Sequence, residues 1–152
     1  MPFIVGVLLV GACGGGEDDA SETNGESEQL VIRTSVTIAP TAGAEPIATG
    51  EIVEGSTLGD SPFCVGGTIR DTHGSPDPEV LLIARTITCP DGKVRLDLSP
   101  ELSQSSTQTG SWIIVSGTGA FEGLSGGGEM ETVYDPDPEA PARETLTGTA
   151  TR

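Results

Sequence analysis

The sequence predicts an all-β protein: eight antiparallel strands closed into a barrel, with a two-sheet β-sandwich as the alternative packing of the same strands. Three observations lead there. From Gln29 onward the chain is a series of short segments rich in Val, Ile, Leu and Thr, separated by Gly, Pro and Asp, the punctuation of strands and turns. Within these segments apolar and polar residues alternate, the period of two that turns one face of a strand to a core and the other to water. No window sustains the 3.6-residue period of a helix, because Gly or Pro interrupts every candidate.

Residues 1–28 stand apart from that pattern. Phe3 to Ala12 is an apolar run of ten residues, against the roughly 20 that a membrane-spanning helix requires, and has the length of a signal-peptide core. Ahead of it Met1-Pro2 supplies only the terminal amine where such a signal carries Lys or Arg, so either the true start lies upstream or the signal is atypical. The run ends in Val10-Gly11-Ala12-Cys13, which resembles the lipobox of bacterial lipoproteins. That resemblance implies a signal peptide over residues 1–12, a lipid-bearing Cys13, and a lipid-anchored location in the bacterial cell envelope facing the extracytoplasmic side. The alternative is a buried strand over residues 3–12 with Cys13 as a small core residue. Residues 14–28 hold six carboxylates and no large apolar side chain; they cannot bury enough surface to offset the entropy of ordering and read as a tether. Such a coil spans roughly 20 Å, more under its own charge repulsion.

Cysteine arithmetic agrees with export. The chain has 3 Cys, an odd number in a protein of an oxidising compartment. Setting Cys13 aside for lipid leaves Cys64 and Cys89 as a disulfide pair, closing a loop worth roughly 3.5 kcal/mol on the chain-entropy model. A metal or redox role is the rival, but neither Cys belongs to a C-x-x-C and the chain has 1 His. With 23 acidic and 7 basic residues, a net charge of −16, the protein is repelled by phosphate backbones and by anionic lipid surfaces. Nucleic acid is excluded as a partner, and membrane attachment falls to the lipid on Cys13.

The strands are expected in order. Leu30, Ile32, Val36 and Ile38 share one parity, with Arg33, Ser35 and Thr37 on the other. Ile47 to Leu58, Phe63 to Asp71, Val80 to Cys89, Val94 to Leu98, Ser111 to Ser116, Glu129 to Tyr134 and Glu144 to Thr151 follow. Pro90-Asp91-Gly92-Lys93 is a hairpin turn with Asp-Gly at its tip. Eight antiparallel strands close into a barrel that either packs full or holds one small ligand.

The stretch Trp112-Ile113-Ile114-Val115-Ser116-Gly117-Thr118-Gly119-Ala120-Phe121-Glu122-Gly123-Leu124-Ser125-Gly126-Gly127-Gly128 resembles a motif of secreted bacterial domains in the allene oxide cyclase barrel-like and dirigent-like group. Phe63-Cys64-Val65-Gly66-Gly67-Thr68, Thr88-Cys89-Pro90-Asp91-Gly92 and the closing Leu146-Thr147-Gly148-Thr149 fit the same group. The resemblance covers most of residues 29–152 and implies the barrel; its motifs are glycines and turn residues, so they speak to fold more than to chemistry. In the glycine-rich stretch, close backbone approach lets Phe121 and Leu124 turn inward and plug one end. A phosphate loop would need Lys-Ser/Thr after its last Gly, and here Glu129 follows.

Candidate chemistry is sparse. His73, in Asp71-Thr72-His73-Gly74-Ser75, has neighbouring serines at 61 and 75 but no nucleophile elbow, and reads as an exposed loop residue. Pro-Asp-Pro-Glu occurs at Pro76 to Glu79 and again at Pro136 to Glu139; weak Ca²⁺ binding is one reading and acidic turns that stop strands the other, with the EF-hand pattern absent. No metal site, cofactor or catalytic residue is assigned. A ligand pocket needs polar groups among apolar walls. Arg85, set in Leu81-Leu82-Ile83-Ala84-Arg85, and Glu51 or Glu54 are candidates, with Trp112 completing the ligand-binding set; the sequence leaves open which parity faces the interior, so an outward, solvated placement is the other reading. The expected function is a non-enzymatic envelope protein that binds a small apolar ligand or an envelope partner. An isomerase or cyclase acting within the barrel, and a purely structural surface protein, are the alternatives.

Overall fold

The strand β1 (Glu28–Ile38) buries Leu30, Ile32, Thr34 and Val36 and leaves Arg33 and Thr37 in solvent. Its period of two is repeated by β2 (Ala48–Ile52), β5 (Thr68–His73), β6 (Ile83–Cys89), β7 (Gly92–Pro100), β8 (Thr107–Gly117), β9 (Ser125–Val133) and β10 (Ala142–Thr151), with the short pair β3 (Thr57–Leu58) and β4 (Ser61–Pro62) between β2 and β5. The computed structural model describes residues 26–41 and 43–152. The expected signal segment, Cys13 and most of the tether lie outside the described residues.

Strands β1, β2, β5, β6, β7, β8, β9 and β10 form a ring in which every neighbouring pair is antiparallel, and β10 returns to pair with β1 from Glu28↔Ala150 to Val36↔Ala142. The fold is therefore a closed eight-stranded up-and-down barrel, and the sandwich is not adopted. Closure leaves no free sheet edge in the ring, which removes the main route to edge-to-edge aggregation. β3 and β4 stand outside the ring, with β3 on the half of β1 that β2 leaves uncovered, Leu30↔Leu58 and Val31↔Thr57.

An up-and-down barrel gathers alternate connections at each end. One end is closed. A short 3-10 turn, Gly119–Phe121, follows β8 and delivers Phe121 and Leu124 into the core beside Phe63. The rings of Phe63 and Phe121 meet edge to face at 5.6 Å, a contact worth about 0.5–1.5 kcal/mol beyond its buried area. Gly117 is required here: a Cβ on it would lie 2.0 Å from the Phe121 carbonyl oxygen. Phe121 and Leu124 thus plug the barrel as the glycine-rich stretch predicts. Cys64 and Cys89 are bonded at this same end, with Cα atoms 5.4 Å apart.

The middle of the barrel is solid. Ile32, Ile87, Leu96, Leu98, Trp112 and Leu146 are all buried in one cluster, and the Trp112 indole N–H donates to the carbonyls of Glu129 and Thr147. At the far end the wall is less fully packed, and a cavity opens there.

Several boundaries differ from expectation, with β5 starting at Thr68 and not Phe63, and β6 at Ile83 and not Val80. Ile47 to Leu58 is not one strand: β2 stops at Ile52, and the chain folds over the closed end, held by the buried Ser56 hydroxyl, which accepts from the Arg33 amide and donates to the Val53 carbonyl. The β6–β7 turn has its tip at Pro90-Asp91, since Gly92 already pairs with Cys89.

Candidate pocket at the open mouth

Four connections surround the open end: residues 39–47, 74–82, 101–106 and 134–141. Within the mouth lies a cavity of about 140 Å³. Its walls are apolar, from Val36, Ala48, Ile83, Met130 and Ala142, and its polar groups are Asp71, Arg85, Gln108, Thr132, Tyr134 and Glu144.

Arg85 reaches the floor because it sits on the apolar parity of β6, in line with Ile83 and Ile87. Asp71 is its direct cross-strand partner on β5. The guanidinium grips it with both ends of the fork, Nε to Oδ1 and Nη2 to Oδ2 at 2.7 Å each. From the opposite wall, Glu144 on β10 takes the third guanidinium bond, from Nη1 to its Oε1. Glu144 is flanked in register by Thr34 and Thr132; Thr132 donates to its Oε2 at 3.1 Å and Thr34 to its Oε1 at 3.5 Å. The three charged residues are 1%, 2% and 6% exposed for Arg85, Asp71 and Glu144.

Burial disfavours the charged guanidinium, but the charge of Glu144 and the bonds to Asp71 outweigh it and hold the Arg85 pKa above its ordinary value. Such a triad spans the lumen and fixes β5, β6 and β10 at one spacing. Buried ion pairs of this kind roughly break even against apolar replacements in stability. Above the floor, Tyr134 donates to Gln108 Oε1 at 2.7 Å.

Arg85 is thus placed in the pocket. Trp112 is inside the barrel but packs the middle layer, below the cavity. Glu51 and Glu54 are exposed on the outer surface. His73 is an exposed residue at the end of β5, its Nε2 at 3.7 Å from Glu45, in a shallow groove of about 470 Å³ that shares Ile47 and Ile83 with the mouth cavity. Both Pro-Asp-Pro-Glu motifs are connections at the open end. In each, the Asp caps its own turn: Glu79 N–H donates to Asp77 Oδ1 and Glu139 N–H to Asp137 Oδ1. Among the described residues no group of three or more His, Cys, Asp or Glu is arranged to hold a metal ion.

Asp71, Glu144, Thr132 and Tyr134 were not singled out by the sequence. A usable signal exists for three of them, since Asp71, Thr132 and Glu144 share the inward parity of Ile69, Met130 and Leu146. No family model, curated protein or solved structure matches the chain.

Proposed function

We propose that this chain is a lipid-anchored extracytoplasmic barrel that binds a small, largely apolar ligand in its open mouth and does no chemistry on it. The observation that carries the reading is the mouth cavity itself: about 140 Å³, apolar-walled above a charged floor, at one end of a barrel whose middle is packed, whereas the larger depression of about 600 Å³ at the plugged end lies over Phe63, Phe121 and Leu124 and has no such floor. Cavities near 150 Å³ with apolar walls take one aromatic ring. A longer ligand continues over Ile47 and Ile83 into the neighbouring groove, where Val80 and Leu81 extend the apolar surface. Binding is favoured over catalysis because Arg85, Asp71 and Glu144 are engaged with one another, which leaves the cavity without an activated nucleophile beside a base. The allene oxide cyclase barrel-like resemblance, which implies the barrel, agrees with the scaffold of this reading, and the lipobox resemblance of Cys13 supplies the address.

The test is a methyl-resolved NMR titration with one-ring probes: toluene, benzyl alcohol and benzylamine. At least one is expected to shift the methyls of Val36, Ala48, Met130 and Ala142 while those of Leu124 and Ala150, at the closed end, stay in place. No shift at the mouth with any of the three at millimolar concentration defeats the reading.

A further inference from the structure

We propose that the mouth selects a small organic cation, a primary ammonium on an apolar body of about one ring. This deepens the binding reading above and rests on it.

The floor is one charge short of neutrality. One guanidinium, Arg85, faces two carboxylates, Asp71 and Glu144, all buried. Their formal sum is negative, and an unbalanced charge in a desolvated site is costly until a counter-charge arrives. Arg85 is not an anion receptor here. Three of its donor positions already serve Asp71 and Glu144, and an anion reaching for the rest would press against two carboxylates.

The carboxylates, in contrast, have capacity left. A carboxylate offers about four acceptor positions. Each Asp71 oxygen accepts one bond from Arg85, which leaves a position on each, while Glu144 accepts from Arg85 and Thr34 at Oε1 and from Thr132 at Oε2, which leaves one. An ammonium, with donors and no acceptor, matches the unused positions. The same negative charge acts on Tyr134, which lines the cavity with Glu144 and whose pKa is raised by burial and then by that charge.

The rim repeats the sign of the floor. The four open-end connections carry Glu45, Asp77, Glu79, Glu101, Asp135, Asp137 and Glu139 and contain no Lys or Arg. A ring of like charges around a low-dielectric cleft focuses the field and concentrates cations at its entrance. Apolar walls between floor and rim then accept the body of the ligand.

Three near-isosteric probes test the assignment: benzylammonium, benzyl alcohol and benzoate, titrated into the whole protein at low salt and followed by the mouth methyls. Benzylammonium is expected to bind about tenfold tighter than benzyl alcohol, the scale of one partly desolvated charge interaction, with benzoate weakest. The preference should shrink in about 0.5 M NaCl. Benzyl alcohol or benzoate binding the mouth as tightly as benzylammonium overturns the cation assignment and leaves the pocket standing. Silence of the mouth methyls with all three defeats the pocket reading as well. Shifts with benzylammonium confined to surface amides also count against the assignment. As a second arm, Glu144→Gln should cut the preference to below about threefold while benzyl alcohol still binds. A folded E144Q protein that keeps the full preference removes the triad from the argument. The wild-type ranking decides on its own if E144Q does not fold.

Discussion

Tyr134 is the one tyrosine of the chain, so its ionisation is read directly from absorbance. Its hydroxyl is hydrogen-bonded to Gln108, and burial followed by the negative charge of Glu144 raises its pKa. A pKa raised in the folded state means that the contribution to stability is complete below the unfolded value, near 10, and is lost as pH rises through the folded value. Alkaline titration of the folded protein should therefore give a phenolate midpoint above about 10, falling to that ordinary value in denaturant. Glu144→Gln should move the folded midpoint part of the way down. A folded midpoint at or below the denatured one would contradict the placement of Tyr134 beside Glu144. At this scale Arg85 was conspicuous as a charge among Leu81, Ile83 and Ile87, but which parity of β6 turns to the lumen was not legible. Glu51 was equally conspicuous and yet faces solvent, because Ala48 and Ile52 set the inward parity of β2 one position away. The partnership of Arg85 with Glu144 was not legible. It joins residues 59 positions apart across a lumen, and only ring closure brings those two walls together.

Most strands were legible because their alternation is strong, and the misplaced boundaries have a common cause. Ile47 to Leu58 and Phe63 to Asp71 are apolar and β-branched enough to read as two long strands. The structure instead turns Val53 to Gly67 over the closed end. Ser56 bonding satisfies the departing backbone, and Phe63 joins the plug. Cys64 takes a positive φ of 50° there, and a Cβ on Gly67 would lie 2.2 Å from the Cys64 sulfur. These are tertiary demands that a local pattern does not carry. The Cys64–Cys89 bond ties this inserted segment to the end of β6. By the chain-entropy model the link contributes about 3.5 kcal/mol, so Cys64→Ser should lower the melting temperature by roughly 10 °C. That loss should be seen only in protein prepared under oxidising conditions, and after reduction the variant and the parent should melt together. Equal melting temperatures in the oxidised state would defeat the structural role of the bond.

At the scale of the whole molecule, the two ends of the barrel have different work because the chain enters at one of them. β1 begins at Glu28, whose register partner Ala150 lies near the end of β10 and lines the closed-end surface with Phe121 and Leu124. A chain anchored through Cys13, as proposed, therefore carries its tether at the plugged end and holds its acidic mouth on the opposite side. The ten residues of β10, tilted as barrel strands are, set the two ends about 25 Å apart. The acidic open end is repelled by anionic headgroups, which favours this orientation. Nitroxide labels on Glu122 at the closed end and on Asp137 at the open end should differ when the lipidated protein is reconstituted in vesicles. A lipid-embedded relaxation agent should broaden the label at 122 more strongly, and a water-soluble one the label at 137. The reverse order would place the mouth against the membrane and make lipid, not a solute, its natural occupant. Equal broadening would mean that the tether lets the barrel turn freely, and the mouth would have no fixed outward presentation.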